Sequence, residues 1–323
     1  MNITRFSKLA VSLVLGVAFA IPALPQGGEN NDWTAIQDQR DGHRRMELLD
    51  AFIKKYPSSG RRPDADFMLI DLYSGNKDYQ KIIQLSEDYR QRPPSGDPAA
   101  KTKIFFSAMF AAASLNDVKR TSEYGEEALR ADPNNFAVLS FMAAANLPNP
   151  QKAMEYAQKA LTLPKPPTMQ PEAYATNIGR LHGIVAVPLF GEGKFKEARE
   201  HLEFAIKANP KDQATHYRYG YATISMMTAA AGTAREANDS YLKAMADKKT
   251  EEAEAAKQKM ENASKEALEL RDVALESMAR ALAVGGQLTP QAKQLFDNLY
   301  QNKNRSLDGA DQLIAQKKAE LGL

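Results

Sequence analysis

Apolar residues recur along this chain at steps of three and four, with Lys, Glu and Asp filling the positions between. That spacing gathers them on one face of a helix rather than on one side of a strand. The clearest stretch runs from Glu192 to Ala222. Phe195, Ala198, Leu202 and Ala205 share a face, and the two alanines let another helix approach closely. Pro210 cannot continue this helix and disfavours helical backbone at Asn209. Asp212 is placed to cap the next helix, on which Tyr217, Gly220 and Tyr221 follow.

The same grammar appears elsewhere. Leu69, Ile70 and Tyr73 mark a helix that turns at Asn76-Lys77-Asp78 into a second one with Ile82 and Ile83. Ile104, Phe105, Met109 and Ala112 precede a helix ending at Ala128 and Pro133. Ala153, Ala157 and Ala160 follow a turn holding Pro148 and Pro150, and an elongated helix with Gly179, Gly183 and Pro188 comes next. Asn31 or Asp32 is expected to cap a first helix containing Trp33, the single tryptophan, read as a core residue.

Past Thr223 the expected turn does not arrive. Residues 224–285 are largely helix-forming, with breaks expected near Gly232 and at Asp247–Thr250. Small and apolar residues at 253, 256, 260, 263, 267, 270, 274, 278 and 281 make a heptad-like seam built mainly of Ala and Met. Two partners for that seam are open: the end of the helical array, or a second copy in a dimeric coiled coil. Gly285-Gly286 stops the helix, Thr289 starts one through Tyr300, and Asp308-Gly309 opens a last amphipathic helix.

Gly220, Ala198, Ala205 and Pro210 fall on the Gly, Ala, Ala and Pro positions of the tetratricopeptide repeat (TPR), which the Glu192–Ala222 stretch resembles. That unit is a helical hairpin of about 34 residues. Ala128 and Pro133, and later Ala281, match its closing positions. The Lys54-Lys55-Tyr56-Pro57 ending resembles repeats of bacterial cell-envelope TPR proteins. The resemblance implies an all-α, right-handed TPR-like helical-hairpin solenoid with a long helical insertion and C-terminal capping helices. Repeats are expected over residues 32–223, and the long helix and cap over 224–323.

Composition narrows the compartment and the chemistry. Met1 to Ala20 has Arg5 and Lys8, an apolar run from Leu9, and the small-x-small end Ala18-Phe19-Ala20. This predicts a secretory signal peptide over residues 1–20, with an uncleaved anchor as the other reading. Residues 21–31, rich in Pro and Gly, read as a flexible lead-in. Without Arg5 and Lys8, the 42 basic residues match the 40 acidic ones, so charge gives no argument for nucleic acid. The chain has no cysteine, which excludes disulfides, a lipid-anchor cysteine and thiolate metal sites. A periplasmic or secreted bacterial protein is expected.

His43, His182, His201 and His216 are scattered, with no two at metal-ligand spacing. No HExxH, G-x-S-x-G or phosphate-cradling glycine loop occurs. Neither an enzyme nor a cofactor is expected. The resemblance instead implies that first helices line a concave peptide-binding surface. Its matching positions are Asp71, Phe106, Phe110, Val138, Met142, Tyr217 and Tyr221. The aromatic members suit a protein or peptide ligand, or else belong to the core. The expected function is an exported non-enzymatic scaffold, with cell-envelope assembly as one setting for it, and a self-associating structural protein or an accessory domain of an envelope enzyme as alternatives.

Overall fold

The computed structural model describes residues 28–92 and 97–323. The expected signal peptide, residues 1–20, and most of the expected lead-in lie outside the described residues. Among the described residues every regular element is an α-helix, and none is long and apolar enough to cross a membrane. The chain forms two compact units, 1–115 and 116–323.

The first unit contains α1 (Glu29–Asp38), α2 (Gly42–Lys55), α3 (Arg62–Asn76), α4 (Tyr79–Arg90) and α5 (Pro98–Ser114). Its helix α1 begins at Glu29 behind Gly28, so Asn31 and Asp32 are not caps. Asp32 is instead buried, and its Oδ2 accepts from Lys55 Nζ at 2.8 Å and Tyr56 OH at 2.7 Å. A buried carboxylate is tolerated only with such partners. Residues 29–31, expected as lead-in, are helical because Asp32 is tied down this way and Trp33 packs on Phe52 with ring centroids 5.2 Å apart.

The second unit contains α6 (Val118–Ala131), α7 (Phe136–Ala145), α8 (Pro150–Leu161), α9 (Pro171–Gly191), α10 (Phe195–Ala208), α11 (Gln213–Ala246), α12 (Thr250–Val284), α13 (Thr289–Asn304) and α14 (Ala310–Glu320). Side chains of Asp117, Asn135, Asn149 and Asp212 accept backbone N–H bonds at the starts of α6, α7, α8 and α11, satisfying donors that a helix start leaves open. Asn209 leaves the helical region after α10, as Pro210 favours. Gly285 and Gly286 end α12 at φ values of 72° and 136°, conformations that side-chain-bearing residues rarely adopt.

One corner recurs. Lys77, Gly193 and Lys248 each sit at positive φ between paired helices. In each, the next residue's N–H bonds back to the end of the preceding helix: Asp78 to Tyr73 O, Lys194 to Leu189 O, and Lys249 to Ala244 O. This is the Schellman closure of a helix. It joins α3 to α4, α9 to α10, and α11 to α12. The missing turn after Thr223 is therefore present but late, because both helices of that hairpin are long. The boundary expected at 223/224 falls inside α11.

One sequence expectation is corrected there, and one left open is resolved. Helix α11 does not break at Gly232; a glycine costs an exposed helix about 1 kcal/mol, which packing along α12 offsets. The Ala/Met seam of α12 is occupied by α11 of the same chain. At the base of the hairpin Tyr217, Ile224 and Met227 join Ala274, Leu275, Met278 and Ala281 in a core closed by Phe296 and Leu299 of α13 and Ala310 of α14. Gly220 marks the close approach, since a Cβ there would lie 2.9 Å from Met278 Cε.

Candidate functional site

The seven expected groove residues are divided between the two units. Asp71, Phe106 and Phe110 belong to the first unit. Asp71 on α3 is exposed and faces Lys103 of α5, Oδ2 to Nζ 3.7 Å, while that ammonium lies 4.5 Å from the Phe67 ring centre. Phe110 is 49% exposed and meets Tyr79 edge-on at 6.3 Å. Phe106 is half-buried.

In the second unit Val138 and Met142 are corrections: both are 0% exposed, so they fill the core and offer no surface to a ligand. Helix α7, FAVLSFMAAA, is apolar on every side, so it is packed all round. Tyr217 is half-buried and extends the core at the hairpin base. Burial holds its hydroxyl above the usual tyrosine range, with Tyr221 adding to the effect. Tyr221 is 38% exposed and sits among Phe190 at 5.4 Å, Phe195 at 6.0 Å and Tyr217 at 6.2 Å. These four rings straddle the start of α11 and the α9–α10 corner.

A better-formed concavity lies beside them, between α9 and α11. It has a volume of about 390 Å³ and is lined by Leu147, Gly183, Ile184 and Val187 together with Arg180 and Arg218. Its shape follows from glycines. A Cβ at Gly179 would lie 1.9 Å from Ala208 Cβ, and one at Gly183 3.7 Å from Ala205 Cβ, so α10 closes tightly behind α9. Arg180 donates to Asn177 Oδ1 at 2.8 Å. Among the described residues no carboxylate pairs with Arg180 or Arg218. Asp212, also on the wall, is occupied in capping α11 at Ala214 N and accepting from Thr215. Arg180 and Arg218, two cations with no carboxylate of the described residues in direct ion-pair contact and only Asp212 as an acidic neighbour on the lining, can hold a carboxylate-bearing segment through charge-assisted bonds. The sequence signal for these arginines was their one-residue offset from Gly179 and from Tyr217, which aims them away from the core.

Sequence reading also missed a histidine pair. His182 and His201, 19 positions apart, bring their Nδ1 atoms to 2.8 Å. Among the described residues no three His, Asp or Glu side chains converge to hold a metal ion.

No protein-family model matches the chain, and no curated protein sequence matches it. Among solved structures, it is similar to a tetratricopeptide repeat protein from Parabacteroides merdae at 14% identity and a TM-score of 0.41, covering 84% of this chain and 96% of that one. It is also similar to PilW, described as a type IV pilus biogenesis factor, at 18% identity and a TM-score of 0.36, covering 76% and 94%. The chain's own helices define its fold independently of these likenesses. They define a TPR-like protein: consecutive helical hairpins, one recurrent left-handed corner, and small residues at the helix crossings.

Proposed function

We propose that this chain is an exported, non-enzymatic TPR-like scaffold that binds an extended or helical segment of a protein partner in the α9–α11 cleft. The observation that carries this reading is a cleft lined by apolar side chains and by Arg180 and Arg218, neither of which makes an ion pair with a carboxylate of the described residues. Tyr221 and its ring neighbours extend the same surface with apolar area. The signal-like N-terminus supports export, and the absence of a catalytic motif in the sequence supports binding without turnover. Self-association through α12 is the weaker reading, because α11 already covers the seam.

The test is crosslinking in the native host envelope with a photoreactive residue at Val187, followed by mass mapping of the crosslinked partner. The wild type should give a specific adduct, and Arg180→Ala with Arg218→Ala should lose it without a change in melting temperature. An adduct unaffected by the double variant would move the site elsewhere. Loss with Tyr217→Ala and Tyr221→Ala alone would shift it to the ring cluster.

A further inference from the structure

A second cleft, of about 470 Å³, lies between α10, α11 and α12, within the range of about 300–1,000 Å³ in which small molecules bind. It shares no lining residue with the α9–α11 cleft. His216 is part of its wall and is 1% exposed. The imidazole Nε2 faces the Pro210 carbonyl at 2.9 Å. A carbonyl only accepts, so Nε2 carries the proton and Nδ1 is an acceptor. Nδ1 is buried, and no described group donates to it. Pro210 is not part of the wall, so Nδ1 is the ring nitrogen on the cleft side. A buried acceptor without a donor is costly, which points to a donor brought by a ligand. The wall is held in place: Ser277 Oγ donates to the His216 carbonyl at 2.8 Å, and the Arg199 guanidinium lies 5.2 Å from the Tyr219 ring centre.

The rest of the lining decides the class of that ligand. Every charged side chain on it already has a partner. Glu203 pairs with Lys207 at 2.9 Å, and Arg280 with Glu320 at 3.1 Å. Asp272 pairs with Arg271 at 3.0 Å and Lys303 at 3.2 Å, and Glu276 with Lys317 at 3.8 Å. An ionic ligand must break one of these pairs. A hydroxyl need not, because a paired carboxylate keeps lone pairs that can still accept. Ile206, Val273 and the Tyr219 ring supply apolar wall.

We propose that this cleft is a binding site for a neutral, hydroxyl-rich ligand, a sugar of one or two rings. One hydroxyl donates to His216 Nδ1, others donate to the Glu203, Asp272 and Glu276 carboxylates, and the C–H face of the sugar rests on Ile206, Val273 and Tyr219. Hydroxyls both donate and accept, so they match a lining of paired anions and cations in a way that an amine or a carboxylate does not. Burial also disfavours the charged imidazole, so Nδ1 stays an acceptor at neutral pH.

The experiment is saturation-transfer NMR on the full chain with cellobiose and diacetylchitobiose as probes, read together with the nitrogen-15 resonance of His216 Nδ1. The expected result is transfer to the sugar C–H groups and an upfield shift of Nδ1, the mark of an acceptor that gains a donor. Val273→Trp, at a position 36% exposed, fills the cleft and should abolish both. Leu242→Trp, exposed on the far part of the α11–α12 hairpin, should change neither. His216→Gln should weaken binding about tenfold, the worth of one hydrogen bond. Butylamine and propionate should show no transfer that Val273→Trp removes. Absence of transfer to both sugars, a signal that survives Val273→Trp, an unmoved Nδ1 resonance, or preference for butylamine or propionate would each overturn the sugar site.

Discussion

The two ends of the α11–α12 hairpin belong to one continuous helix pair, yet they are built of different material. At the base, Tyr217, Ile224, Met227, Leu275 and Met278 meet Phe296 and Leu299, so large side chains from three helices interlock. Toward the tip, the buried positions are Ala230, Ala237 and Ala244 on α11 and Ala253 and Ala263 on α12. Large apolar residues there, Leu242, Met245 and Leu268, are exposed. Each helix is about 50 Å long at 1.5 Å per residue, so much of that length relies on alanine contacts. Alanine seams bury little area, and buried area sets the stabilisation. The difference teaches that length and stability are separate: the corner at Lys248 fixes the hairpin's geometry, while its base fixes whether the unit folds.

The largest test of this contrast is Phe296→Ala. The ring is fully buried at the base, and its loss should cost about 3–5 kcal/mol. Chemical denaturation should show the whole unit's midpoint falling. Retention of the midpoint would mean the base is not the unit's keystone.

A matched pair comes next. Ala281→Leu at the base should destabilise by about 1–3 kcal/mol through overpacking, since Ala281 is fully buried beside Gln213, whose Nε2 donates to the Ala281 carbonyl at 3.3 Å. Ala237→Leu near the middle of the arm should cost less, because two helices with no third layer can spread. Hydrogen exchange should localise the second effect to the arm. Equal global losses would show that the arm and the base unfold as one.

Acid should discriminate the ends by a different route. His216 lies at the base, and its Nε2 donates to the Pro210 carbonyl at 2.9 Å. Burial lowers its pKa below 6.5, against the opposing effect of that backbone bond. The unfolded chain therefore binds a proton that the folded chain refuses. The stability contributed is full above pH 6.5 and is lost as pH falls below it. His182 and His201 act in the same sense, with His182 pushed down to about 4. The loss of melting temperature below pH 6.5 should shrink in His216→Asn. An unchanged acid response would assign it to the α9–α10 pair alone. Residues 224–270 carry no histidine, so arm exchange should follow only the ordinary chemical pH dependence.

What the sequence made legible follows the same division. The Phe195, Ala198, Leu202 and Ala205 face, the stop at Pro210, the Asp212 cap and the Gly285-Gly286 stop all depend on neighbours within one or two turns, and all are present. The nine-residue seam of α12 was readable for the same reason, but its partner was not, because an alanine stripe fits any helix. Val138 and Met142 were misplaced because α7 is apolar all round, so periodicity marks no exposed face. The His182–His201 meeting and the α9–α11 cleft depend on how two helices cross, and Gly179 announced a close crossing without naming which side chains it would join.

The smallest prediction separates the two glycines of α11. Gly232 breaks no rule of geometry: its φ is helical, and a Cβ there would meet nothing within 4 Å. Gly232→Ala removes freedom from the unfolded chain and should stabilise the arm by about 0.4–1 kcal/mol. Gly220 lies on the same helix, but its added Cβ would press on Met278 Cε at 2.9 Å, and Met278 is fully buried. There the propensity gain meets overpacking, and the net should be a loss on the order of 1 kcal/mol. The same substitution on one helix should thus change sign between the tip side and the base. Denaturant midpoints check the Gly220 loss, and hydrogen exchange across residues 228–246 checks the Gly232 gain. If both glycines respond alike, side-chain interlocking does not distinguish the two ends, and the recurrent corner alone would have to account for the stability of the hairpin.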